Sequence, residues 1–73
     1  MSARALDRLT PRETDVLRCM CRGATNTEIA ARLRMGERTV KSHVSAIFAK
    51  LGVRDRAAAI VTAYAAGLGT TDP

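Results

Sequence analysis

Aromatic residues are nearly missing from this chain. Phe48 and Tyr64 are the only two among 73 residues, and tryptophan is absent. Proteins that hold single-stranded nucleic acid by stacking its bases need aromatic platforms, so that mode is excluded. Cysteine is scarce as well. Cys19 and Cys21 lie two apart, a separation that turns them to different sides of a helix, so no disulfide is expected between them. The single histidine, His43, completes no Cys/His set at zinc spacing, and neither a metal nor another cofactor is expected. No apolar run approaches a membrane span and no signal-peptide core is present, which makes a cytoplasmic protein without a membrane partner the expectation.

What is present suits one small helical domain. The apolar fraction is 47%, ordinary for a globular chain, and consists mostly of Ala, Leu, Val and Ile. Glycine and proline leave long stretches uninterrupted, as a compact bundle of helices requires. Residues 1–73 are read as a single domain, with a core over about 9–68 and loose ends. Twelve basic residues against seven acidic ones give a net charge of +5. An excess of this kind favours a polyanionic partner. Composition alone does not choose among DNA, RNA, an anionic membrane and plain solubility.

Helix punctuation organises the chain. Thr10-Pro11-Arg12-Glu13 is a strong start, with Thr10 as N-cap, Pro11 at the first helical position and Glu13 at the third. Val16, Leu17 and Met20 follow at helical spacing, and Gly23 ends the helix. Upstream, Leu6 and Leu9 are placed to dock on the core. A second helix begins near Thr25-Asn26, with Glu28 completing another capping box and Ile29, Ala30 and Leu33 forming the buried stripe. Arg34, Met35 and Gly36 leave room only for a tight turn. The third helix spans about Glu37 to Leu51, stopped by Gly52. Its Val40, Val44, Ile47 and Leu51 recur at intervals of four, three and four, with Phe48 beside them. A fourth helix, capped by Asp55, runs to Ala66 and is stopped by Gly67. The tail after Leu68 reads as disordered. No segment alternates as a strand would, so the fold class is all-α: a compact four-helix domain.

The third helix has a second face. Arg38, Lys41, Ser42, Ser45 and Ala49 project opposite its apolar stripe, within an arc of roughly 100°. That face is basic at its N-terminal end and small and polar beyond, and it carries no acid. A helix of this shape can enter the DNA major groove and place donors against base edges and phosphates. A merely solvated face would look similar in isolation. The preceding helix decides the matter: Ala30 supplies a small residue for a close crossing, while Ile29, Leu33, Met35 and Val40 fix the angle, as in a helix-turn-helix.

These residues belong to a longer ordered set. Leu9-Thr10-Pro11-Arg12-Glu13, Val16-Leu17, Gly23, Asn26, Glu28-Ile29-Ala30, Leu33, Thr39-Val40-Lys41-Ser42-His43-Val44, Ile47, Lys50-Leu51-Gly52-Val53 and Arg56 together resemble the LuxR-type helix-turn-helix family. This is the output domain of many bacterial response regulators and quorum-sensing regulators. The resemblance covers about residues 9–68. It implies that the second and third helices form the motif, that the third lies in the major groove, and that transcription is regulated through paired half-sites. It further implies DNA contacts at Thr39 and Lys41, with variable groove-facing positions at Arg38, Ser42 and Ser45. In the family the fourth helix mediates dimerisation, which here points to Val61, Thr62 and Ala65 in a dimer contact that is weak without DNA. Gly36 departs from the family's usual Ser or Thr cap, Cys19 and Cys21 replace more common aliphatic and Ala residues, and Gly69 stands where another aliphatic residue is frequent.

Several roles stay open at this level. Lys41 can donate to guanine O6/N7 or to a phosphate. Arg38 can reach a phosphate or a base, and Ser42 and Ser45 can read base edges or leave room for water. Thr25, Asn26 and Thr27 can cap their helix, hold a backbone phosphate, or do both. Glu13 is expected to pair with Lys50 or Arg56. His43 lacks any nucleophile or carboxylate at a recognisable spacing, so no enzyme activity is expected. The fourth helix is apolar almost all round, which also fits a protein-interaction module acting on another regulator or on an RNA polymerase subunit. Met1 is compatible with an excised output domain and with a short stand-alone regulator.

Overall fold

In the computed structural model, which describes residues 2–68, all regular structure is helical. Five helices follow in chain order: α1 (Ser2–Asp7), α2 (Pro11–Cys21), α3 (Asn26–Leu33), α4 (Glu37–Leu51) and α5 (Arg56–Ala65). The four expected helices are α2 to α5, and α1 is additional. At six residues α1 is too short to hold helical structure alone. It forms against α4 and α5, with Leu6 packed on the core and Leu9 buried just beyond it. The tail expected to be loose after Leu68, Gly69 included, lies outside the described residues.

Capping fixes the starts. The Thr10 N–H donates to Glu13 Oε1 at 2.9 Å while Thr10 Oγ1 accepts from the Glu13 N–H at 3.1 Å. The same reciprocal pair recurs at α3, with 2.8 Å from Thr25 N to Glu28 Oε1 and 3.1 Å from Glu28 N to Thr25 Oγ1. At α5, Asp55 Oδ1 accepts from the Ala58 N–H at 2.8 Å. Each such cap satisfies helix-end donors that would otherwise lack partners. Helix α4 starts at Gly36 without a side-chain cap and ends at Gly52, whose left-handed φ of 69° closes the last turn.

The turn between α3 and α4 is as tight as its length requires. Its left-handed residue is Arg34, at φ 56° and ψ 52°, whereas Gly36 has an ordinary extended backbone at φ −74°. Chain reversal has to occur immediately after Leu33, because the Met35 N–H closes back on the Ala30 carbonyl at 3.0 Å. Arg12 of α2 reaches across and donates to the Leu33 carbonyl at 2.9 Å, satisfying an acceptor at the end of α3.

The core lies where all five helices meet. Val16, Leu17, Met20, Ile29, Val40 and Ile47 are wholly buried. Each such side chain contributes about 1.5–3 kcal/mol by leaving water. Leu33, Phe48 and Leu51 are half-buried at the margin and packed against this cluster, so the stripe of α3 is narrower than expected. Ala30, 8% exposed, is buried in the core, and Ala59 and Ala63 bring α5 close to it with no exposure at all. Cys19 is a buried thiol of this core. Glu13, 6% exposed, is the one buried charged residue among those described. Of the two partners expected for it, Lys50 is the one used, at 2.7 Å.

Candidate nucleic-acid interface

Helix α4 presents two faces with opposite chemistry. Val40, Val44 and Ile47 are buried, which fixes the rotation of the helix about its axis. That rotation turns Arg38, Thr39, Lys41, Ser42 and Ser45 outward, and all five are exposed. Among the described residues, none of these side chains forms a hydrogen bond or ion pair with the protein. Lys50, at the other end of the same helix, is engaged by Glu13 instead. Glu37 sits in the first turn, where the helix dipole favours a carboxylate. The outward face therefore offers two unengaged cations and three short hydroxyls, all able to donate.

The pair that anchors the far end of α4 is electrostatically settled. Burial alone pushes the Glu13 carboxyl up. The Lys50 hydrogen bond, the Thr10 N–H, the Lys50 charge and the Thr10 hydroxyl together outweigh that effect and hold it below the ordinary carboxylate value. Glu13 thus stays ionised, joining the cap of α2 to the C-terminal turn of α4.

Helix α3, which packs directly on α4, carries the second expected set. Thr25 is exposed and caps the helix, as one of its two expected roles requires. Thr27 is exposed with its hydroxyl unengaged among the described residues. Asn26 is half-buried and does something the sequence did not indicate: its Oδ1 accepts from Arg56 Nη1 at 3.0 Å. The second arm of Arg56 donates to the Ala24 carbonyl at 2.6 Å. From the sequence, the contact offered for Arg56 was Glu13. Its true partners lie 30 and 32 residues away, and no local spacing reports such a contact.

On α5, Ala59 and Ala63 face inward while Val61 and Tyr64 are 67% and 45% exposed. Ala65 is exposed too, and Thr62 is half-buried with its hydroxyl returned to the Ala58 carbonyl at 2.9 Å. Tyr64 donates its phenolic hydroxyl to the Cys21 carbonyl at 3.1 Å. His43 is half-buried on α4. Among the described residues no group of His, Cys, Asp and Glu is arranged to hold a metal ion, and no helix is long and apolar enough to cross a membrane.

A capped helix, a tight left-handed turn and a second helix with a basic outer face make a helix-turn-helix. The model of bacterial regulatory proteins of the luxR family matches residues 7–63. The chain belongs to this family. The luxR-family domain is 53% identical over 55 residues to the uncharacterized transcriptional regulatory protein YhcZ of Bacillus subtilis (strain 168), covering 75% of this chain and 26% of that protein. It is 48% identical over 56 residues to a nitrate/nitrite response regulator protein homolog of Haemophilus influenzae, covering 77% and 27%. It is 40% identical over 62 residues to the response regulator protein VraR of Staphylococcus aureus, covering 85% and 30%. The chain therefore spans under a third of the length of these relatives. The luxR-family match, which spans the helix-turn-helix, makes this a DNA-binding domain of transcription regulation, and the relatives' names are those of regulators.

Proposed function

We propose that this luxR-family domain reads duplex DNA by laying the outward face of α4 in the major groove. The observation that carries the reading is the state of Arg38, Lys41, Ser42 and Ser45: exposed, without protein partners, and opposite a buried aliphatic stripe. In this arrangement Lys41 and Arg38 donate to guanine edges or phosphates, and Ser42 and Ser45 keep the helix slender enough to lie deep. Thr39 supports the same contact from the side. Thr25, Asn26 and Thr27 meet the sugar–phosphate backbone from the start of α3, which fixes register rather than sequence.

Two copies bind paired half-sites through α5. The exposed Val61 and Ala65, with Thr62 at their edge, supply a small apolar surface for an isologous contact. A surface this limited makes a weak dimer, and DNA brings the copies together. The domain acts by binding, without a chemical step, in the regulation of transcription. Selection of bound sequences from a random duplex pool tests the reading. Recovery of a short motif in two related copies is the expected result, and no enrichment at any salt concentration contradicts it.

The exposed Val61 and Tyr64 also motivate a second reading, in which α5 takes another regulator or a polymerase subunit. That reading predicts protein capture through α5 with no selected DNA motif.

A further inference from the structure

We infer that Arg56 is a positioning residue that sets the Asn26 amide to donate to a DNA phosphate. The inference rests on the proposed backbone contact of α3 and adds to it a residue that does not itself belong to the helix-turn-helix.

Arg56 opens α5, is half-buried, and holds two acceptors at once: the Ala24 carbonyl at 2.6 Å and Asn26 Oδ1 at 3.0 Å. The attachment to Ala24 fixes the guanidinium, so the second arm arrives at Asn26 in one place. An Asn side chain has an accepting end and a donating end, and rotation by half a turn exchanges them. A guanidinium has donors only. Arg56 therefore admits one amide orientation, with the oxygen inward and both N–H groups of Nδ2 directed away. Among the described residues those N–H groups meet no acceptor in the protein. Asn26 is flanked in sequence by the exposed Thr25 and Thr27, whose hydroxyls can also donate. Phosphate oxygens only accept, so a locked pair of amide donors fits them where a freely turning amide would present oxygen half of the time. Both acceptors of Arg56 are uncharged, and no carboxylate among the described residues pairs with it. Its positive charge is left to favour the same polyanion.

The test uses the intact chain and a random-sequence duplex at low salt, where phosphate contacts supply the binding. Arg56→Lys keeps the charge but cannot hold both acceptors. It is expected to weaken binding about tenfold in the wild-type background and to add nothing in an Asn26→Ala background. Equal weakening in both backgrounds would reduce Arg56 to a structural role and overturn the inference. Asn26→Asp supplies an independent arm. Its carboxylate accepts the same Arg56 N–H groups, so the melting temperature should hold or rise, while the donors facing DNA are lost and affinity falls. An Asn26→Asp chain that binds like wild type overturns the inference even if Arg56→Lys does not fold. Failure of the wild-type chain to bind the duplex would sink the underlying DNA reading instead.

Discussion

Arg34 occupies a backbone conformation that residues with a Cβ avoid, at a cost of roughly 1–2 kcal/mol. Glycine removes that cost and returns part of it as extra freedom of the unfolded chain. Arg34→Gly should therefore raise stability by about 0.5–1 kcal/mol in urea denaturation, and a loss of stability would contradict the assigned turn geometry. Glu13 makes a prediction in pH. Its carboxyl is held below the ordinary value of about 4.3, so the folded state binds its proton less readily than the unfolded chain. The resulting stabilisation is complete above that ordinary value and disappears as pH falls through the lower, folded one. Acid denaturation of Glu13→Gln should show a smaller loss over this window than wild type. Equal losses would mean that Lys50 and Thr10 do not hold the charged form.

At the scale of the helix, α2 to α5 were legible because their caps and periodic apolar residues agree. Thr10 with Glu13, Thr25 with Glu28, and the stripe at 40, 44 and 47 all appear in the structure as expected, with Leu51 half-buried at its end. Helix α1 was not legible, since six residues become helical only by docking on elements distant in sequence. Arg12 on Leu33 and Arg56 on Asn26 were hidden for a related reason: both join side chains to groups more than twenty residues away. The outward face of α4 could be read because helical periodicity turns one buried stripe into the position of every other side chain. Packing tests follow. Ile47 is fully buried in α4, and Ile47→Ala should cost about 2–5 kcal/mol. Ala63 brings α5 against the core, so Ala63→Leu should cost about 1–3 kcal/mol by overpacking. A neutral result in thermal denaturation would place that face of α5 outside the core.

For the whole molecule, the proposed reading divides the work between the outer faces of α4 and α5, one toward DNA and one toward a second copy. Val61→Arg places a charge on the exposed side of α5 and leaves α4 untouched. It should weaken binding to a duplex with two half-sites while leaving a single half-site unaffected in gel shift. Lys41→Ala should instead weaken both by about 1–3 kcal/mol, as the loss of a base contact would. The most direct measurement is titration of duplex DNA into isotope-labelled protein, with amide chemical shifts followed along the chain. The largest changes are expected over residues 38–45 of α4 and 25–27 at the start of α3. Changes concentrated on α5, with α4 silent, would contradict the proposed reading.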